Sequence, residues 1–260
     1  MFYTPHRVCY NLLMGNNGLG RVKLKLRQVA DPKKAKLLRG FFKTGKGEYG
    51  EGDKFLGITV PVQRRIANEF ADKLTLADLD KLIKSAVHEH RLAALLVLVR
   101  QFQKSKISNQ QSEIYKFYLS HTPYINNWDL VDLSAPKIIG AYLNGLSPYS
   151  AKRGKATTIL YKLAKSKNLW ERRIAIVSTF DGICRGRPDD ALKISAMLLG
   201  DSHDLIHKAA GWMLREAGKR CGESHLLKFL DKHYRRMPRT MLRYAIERLP
   251  ESKRQHYLTK

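Results

Sequence analysis

The residues best suited to chemistry stand together at Trp128-Asp129-Leu130-Val131-Asp132, behind Asn126-Asn127 and ahead of Pro136. On a helix, residues four apart lie one above the other, so Trp128 and Asp132 share one face while Leu130, Val131 and Leu133 point inward. Asn127 suits the N-cap, where a side-chain oxygen accepts an N–H that the first turn leaves unpaired. Pro136 has no N–H for the carbonyl of Asp132 and crowds it, so a kink is expected one turn past the acid, opening a notch beside it. A carboxylate beside an aromatic face suits a transition state that gains positive charge, such as the oxocarbenium-like sugar formed when an N-glycosidic bond breaks. Two-metal phosphodiester cleavage needs more converging acids than Asp129 and Asp132 supply. Taken alone, Asp132 fits a solvated or arginine-paired acid equally well, and Asp129 reads as a first-turn acid that complements the helix dipole.

The elements that must hold these residues belong to a strongly basic chain of 260 residues. Its 48 Lys+Arg against 23 Asp+Glu give a net charge of +25, spread from Arg21 to Lys260. Such a distributed excess favours a polyanionic partner, with phosphate neutralisation and steep salt dependence as its usual expression. Cys9, Cys184 and Cys221 have no CxxC spacing, which fits a reducing, cytoplasmic setting. No window of about 18 apolar residues marks a membrane span. The first twenty residues lack a signal-peptide layout and read as a loosely held extension ahead of a single domain over 21–260. His88-Glu89-His90 places two histidines on different helix faces with no third ligand at zinc-like spacing, so neither a metal site nor a cofactor is expected. Hydrolase, kinase and nucleotide fingerprints are missing.

From Thr59 onward the periodicity is helical. Pro61 opens a helix over about 61–73, Thr75 with Asp78 forms a capping-box pattern, and His90 to Gln103 is apolar through Leu92, Ala93, Leu95, Leu96, Leu98 and Val99. Further helices fit 109–120, 127–143, 149–165, 168–182, 189–199, 203–219, 223–234 and 238–248. Between Arg21 and Arg39 the pattern is mixed, and a helix ending near Gly40 is favoured. Four glycines in Thr44–Gly52 point to a small β-hairpin near residues 41–56, where Glu48, Glu51 and Asp53 argue against a phosphate loop. Trp128, Trp170 and Trp212 are spaced 42 residues apart, within the range of HEAT-like units. Arg91, Arg173 and Lys208 each precede a small-residue helix stripe, so equivalent cations are expected along one side of an all-α solenoid. Trp170 itself reads as core.

With these residues in place, the chain resembles the AlkD-type DNA alkylation repair glycosylases, a HEAT-like family, over roughly Lys33 to Lys253. The resemblance rests on Phe55-Leu56-Gly57-Ile58 with Pro61-x-x-Arg64-Arg65, on Trp128-Asp129-x-x-Asp132 with Pro136, on Asn168-Leu169-Trp170-x-x-Arg173-x-Ala175-Ile176, and on Gly211-Trp212-x-Leu214-Arg215-Glu216. It implies release of cationic N3- or N7-alkylpurines from double-stranded DNA by a monomer that needs no metal. Asp132 would stabilise the sugar cation, Trp128 and Trp212 would flank the deoxyribose, and Arg173 and Arg215 would contact DNA, with Lys208 at an equivalent repeat position. Where the family's best-known branch has a phenol on an early helix, this chain has Phe41 or Phe42. The Gly-rich segment 43–54 departs from the best-known branch and supports an alternative, a non-catalytic binder of branched or distorted DNA.

Overall fold

The structure, a computed structural model, describes residues 18–105, 108–146 and 151–259; the expected loose extension lies mostly outside them. The described chain is 74% helical and contains no strand or sheet, so the fold is all-α. Its helices gather into two compact units, one ending at Leu130 and the other starting at Val131.

In the first unit the His88–Lys104 helix is the core element. It is apolar nearly all round, and Leu92, Ala93, Ala94, Leu95, Val97 and Leu98 are buried against the Val60–Phe70, Leu76–Ile83 and Gly18–Gln28 helices. Each fully buried Leu contributes roughly 1.5–3 kcal/mol. The Thr75–Asp78 capping box forms as expected, with both reciprocal bonds present. The expected helix ending near Gly40 is instead two helices, Gly18–Gln28 and Pro32–Phe41. The break has a local cause. Asp31 Oδ1 accepts the N–H groups of Lys33 and Lys34 at 3.0 and 3.1 Å, and Pro32 fixes the first turn of a new helix.

The expected β-hairpin near 41–56 does not form. Glu48 N–H donates to Gly45 O and Gly50 N–H to Lys43 O, while the carboxylates of Glu48 and Glu51 accept from Gly45 and Gly47 N–H, both at 2.8 Å. Amides engaged in successive tight turns have no ladder to join. Beyond the turns, only an isolated parallel bridge ties Lys54 to Val87. Gly57 (φ +85°) needs its missing side chain, because a Cβ there would stand 2.0 Å from the carbonyl oxygen of Asp31.

In the second unit the chain turns where Pro136 predicts. The Trp128–Ala135 helix gives way to a π-type turn at Pro136–Gly140 and then to Ala141–Gly145. The region expected as one helix over 168–182 is Leu169–Ser178 followed by a short Phe180–Cys184 segment. Trp170 is core, 7% exposed. At Gly211 a Cβ would lie 2.5 Å from both Met241 O and Tyr244 Cβ, so the glycine is what lets the Asp204–Cys221 helix seat closely on Arg239–Ile246. A last helix, Glu251–Leu258, lies beyond the expected ones; its polar sequence carries little periodic signal.

Candidate active site

The boundary between the units falls inside the Trp128–Ala135 helix, between Leu130 and Val131. At its start, fully buried Asn127 accepts the Trp128 N–H through Oδ1 at 2.8 Å, which fixes where the helix begins. The half-buried Trp128 ring stacks on Phe42, with centroids 5.1 Å apart and planes at 22°, and takes the edge of Phe41 at 5.6 Å and 75°. Phe41 and Phe42, the candidates for the position of the best-known branch's phenol, therefore both touch this indole, and neither has a hydroxyl.

Asp129 does more than complement a helix dipole. Its Oδ1 accepts the Leu130 N–H at 2.9 Å, and its Oδ2 lies 2.8 Å from His88 Nε2. His88, 2% exposed, turns its other ring nitrogen to Asp53 Oδ2 at 3.3 Å, and Arg91 donates to that same oxygen at 2.6 Å. The imidazole is also stacked on Phe55 at 4.6 Å. A ring with a carboxylate at each nitrogen is satisfied only as the imidazolium, which donates twice. Burial pushes the His88 pKa down, but its bonds to Asp129 and Asp53 outweigh that and raise it. Asp53 is lowered: burial raises it, and His88 and Arg91 more than compensate.

With the folded His88 value above an unfolded one of about 6.5, its stabilisation is fully present below that pH and lost as pH rises through the folded value. His88→Gln should therefore lower stability by about 1.5–3 kcal/mol near pH 5.5, and by clearly less near pH 9. Thermal unfolding of both proteins across that range checks it, and a gap independent of pH would contradict the charged assignment.

The neighbours of His88 complete a clamp. Glu89 accepts the N–H groups of Leu56, Gly57 and Ile58 at 2.9, 2.8 and 3.2 Å, pinning the strand-like return from the Gly-rich turns. His90 Nδ1 lies 3.0 Å from Ser85 Oγ, and burial, aided by Lys23, Arg27 and Arg91, lowers its pKa to about 4, so it is neutral. His88, Glu89 and His90 thus each hydrogen-bond within the protein, and no cluster of three His, Cys, Asp or Glu suited to a metal occurs among the described residues.

On the second unit's side, Asp132 is held by Arg173. The guanidinium donates Nε to Oδ1 at 3.0 Å and Nη2 to Oδ2 at 2.8 Å, and Nη1 donates to the Leu205 carbonyl at 2.5 Å. Arg173 is only 5% exposed, so its donors are held in a largely desolvated place, while the Asp132 side chain keeps 19% of its surface exposed. The fork fixes the plane of the Asp132 carboxylate. Trp212, half-buried, lies 5.9 Å from the Phe180 ring. Arg215 pairs with Glu247 and lies 3.7 Å from Glu216, and Lys208 pairs with Asp204 at 2.7 Å.

The cations expected along one side of the repeats are therefore committed to the protein itself at Arg91 and Arg173. Arg172 behaves alike, binding Asp201 and the carbonyls of Ser166 and Lys167. Sequence reasoning missed His88, Asp53 and Arg91 as supports of the Trp128 helix start. A signal was present in the spacing: His88–Asp129, Asp80–His121 and Asp132–Arg173 each pair an acid with a base 41 residues away, one less than the tryptophan spacing.

Against known proteins, residues 22–249 match the family described as DNA alkylation repair enzyme. The chain belongs to that family. Its fold is also that of a predicted DNA alkylation repair enzyme from Enterococcus faecalis, with a TM-score of 0.64 and 18% identity over 85% of this chain and 97% of the other. No curated protein matches the chain. Membership assigns a role in DNA repair and an interaction with DNA. No described helix is long and apolar enough to cross a membrane.

Proposed function

We propose that the protein is a DNA glycosylase that releases positively charged N3- or N7-alkylpurines from duplex DNA, working as a monomer in the cytoplasm without a metal. The observation that carries the reading is the Asp132 carboxylate, half-buried on the helix that Trp128 opens and set in one plane by the Arg173 fork. As the N-glycosidic bond breaks, its electron pair passes to the base, which leaves neutral, and the sugar becomes an oxocarbenium ion. A fixed carboxylate stabilises that cation without reorganising, and water then adds to the sugar carbon with loss of a proton. A base that already carries a positive charge is a good leaving group, so help at the sugar alone suffices.

In this reading Trp128 and Trp212 contact the substrate through their aromatic faces, as the family resemblance implies. Arg173 acts through Asp132, which it positions, and Arg215 and Lys208 supply positive field near phosphate. The alternative, a non-catalytic binder of branched DNA, drew on a hairpin at 43–54, where the chain forms tight turns instead. The test is selectivity for charge. Duplex carrying N7-methylguanine should yield free base, and the same duplex carrying neutral hypoxanthine should yield none. Equal release from both would overturn the leaving-group argument.

A further inference from the structure

The Pro32–Phe41 helix has no buried residue at all. Leu37 is 72% exposed and Phe41 61%, the two most exposed large apolar side chains among the described residues. They are four apart, hence on one face, and Lys33 stands one turn before Leu37 on that same face with Lys34 beside it. The helix sequence, PKKAKLLRGF, contains no acid. The N-cap Asp31 lies 3.4 Å from Lys34, and no ion pair engages Lys33, Lys36 or Arg39 among the described residues. At Gly40 no atom lies within 4 Å of where a Cβ would stand, so the flank of the apolar pair is open. Phe41 is backed by Phe42, in edge contact at 5.1 Å, and by Trp128. One helix face is thus cationic at its first turn and apolar at its last, with firm support under the apolar end.

We propose that this face docks on duplex DNA, Lys33 and Lys36 meeting phosphates while Leu37 and Phe41 press as a wedge on a base step through the minor groove. Charge complementarity selects the partner: an acid-free basic face suits a polyanion, and it offers no carboxylate to answer the lysines of a second copy. The dimensions agree, since one helical turn advances about 5.4 Å and the minor groove is about 6 Å wide, which sets Leu37 in the groove when Lys33 is at its edge. Apolar side chains in the minor groove unstack base steps and bend the duplex. The inference rests on the proposed function only in taking duplex DNA as the ligand, and it does not require base release.

The experiment uses undamaged duplex with 2-aminopurine at its centre, saturated with the full chain, and reads both fluorescence and binding anisotropy. The wild-type protein and Asp132→Asn should both raise the fluorescence several-fold by unstacking the probe, whatever the outcome of any base-release assay. Leu37→Ala should lose most of that rise while keeping affinity within about threefold, because the phosphate contacts remain. Leu37 is exposed, so the substitution leaves no cavity. Lys33→Ala with Lys36→Ala should instead reduce the salt slope of binding by about two. A wild-type protein that leaves the probe dark, or a Leu37→Ala variant with the full rise, would overturn the wedge. So would a dimer in sedimentation that Leu37→Asp converts to monomer, which would give this face to a second copy.

Discussion

Asp132→Asn is expected to slow release of N7-methylguanine by roughly a hundredfold or more, the scale on which a preorganised group facing transition-state charge acts. The replacement is nearly isosteric and keeps an oxygen for one of the Arg173 donors, whose present bonds are 3.0 and 2.8 Å. What it removes is the negative charge at the sugar. DNA affinity, which rests on phosphate contacts elsewhere, should change little. Single-turnover kinetics with saturating enzyme separate the two, and an unchanged rate would take Asp132 out of the reaction.

The second large effect is on stability. Arg173→Ala removes a guanidinium that is 5% exposed and leaves the Asp132 carboxylate and the Leu205 carbonyl without its three N–H donors. Breaking a fully buried pair from one side costs about 3–5 kcal/mol, mostly through the charge left behind, and the partial exposure of the Asp132 side chain, 19%, sets the loss here at the low end of that range. A urea-unfolding midpoint well below wild type is therefore expected. Part of the loss should return in Arg173→Ala with Asp132→Asn, where the stranded charge is gone. Wild-type stability together with weakened DNA binding would instead return Arg173 to the DNA-contact role that the family resemblance implies.

Wherever a residue's role is set by its neighbours along the chain, the sequence was legible. Asn127 before Trp128, Thr75 before Asp78, and Pro136 after Asp132 act within a turn or two, and the cap, the capping box and the kink all stand where local rules put them. Trp170 was readable as core because its helix repeats apolar positions. The Gly-rich segment failed because glycine permits both hairpins and chains of tight turns. The choice fell to the Glu48 and Glu51 carboxylates, which turned back on Gly45 and Gly47. Arginine direction failed for a different reason. Arg91 and Arg173 look like surface cations until Asp53 and Asp132 arrive from 38 and 41 residues away. Likewise, Asp129 was visible as a first-turn acid, but its bond to His88 depends on how two distant helices meet. Asp132 and Trp128 are candidates from local spacing and Trp212 from the resemblance, while the hydrogen bonds that fix Asp132 and Asp129 come from the fold.

Free base released from duplex DNA is the most direct measure of the central claim. With duplex carrying one N7-methylguanine, excess protein and a chelator present, chromatography should show neutral 7-methylguanine accumulating well above the protein-free rate, with Asp132→Asn close to that background. Release no faster than from duplex alone would contradict it.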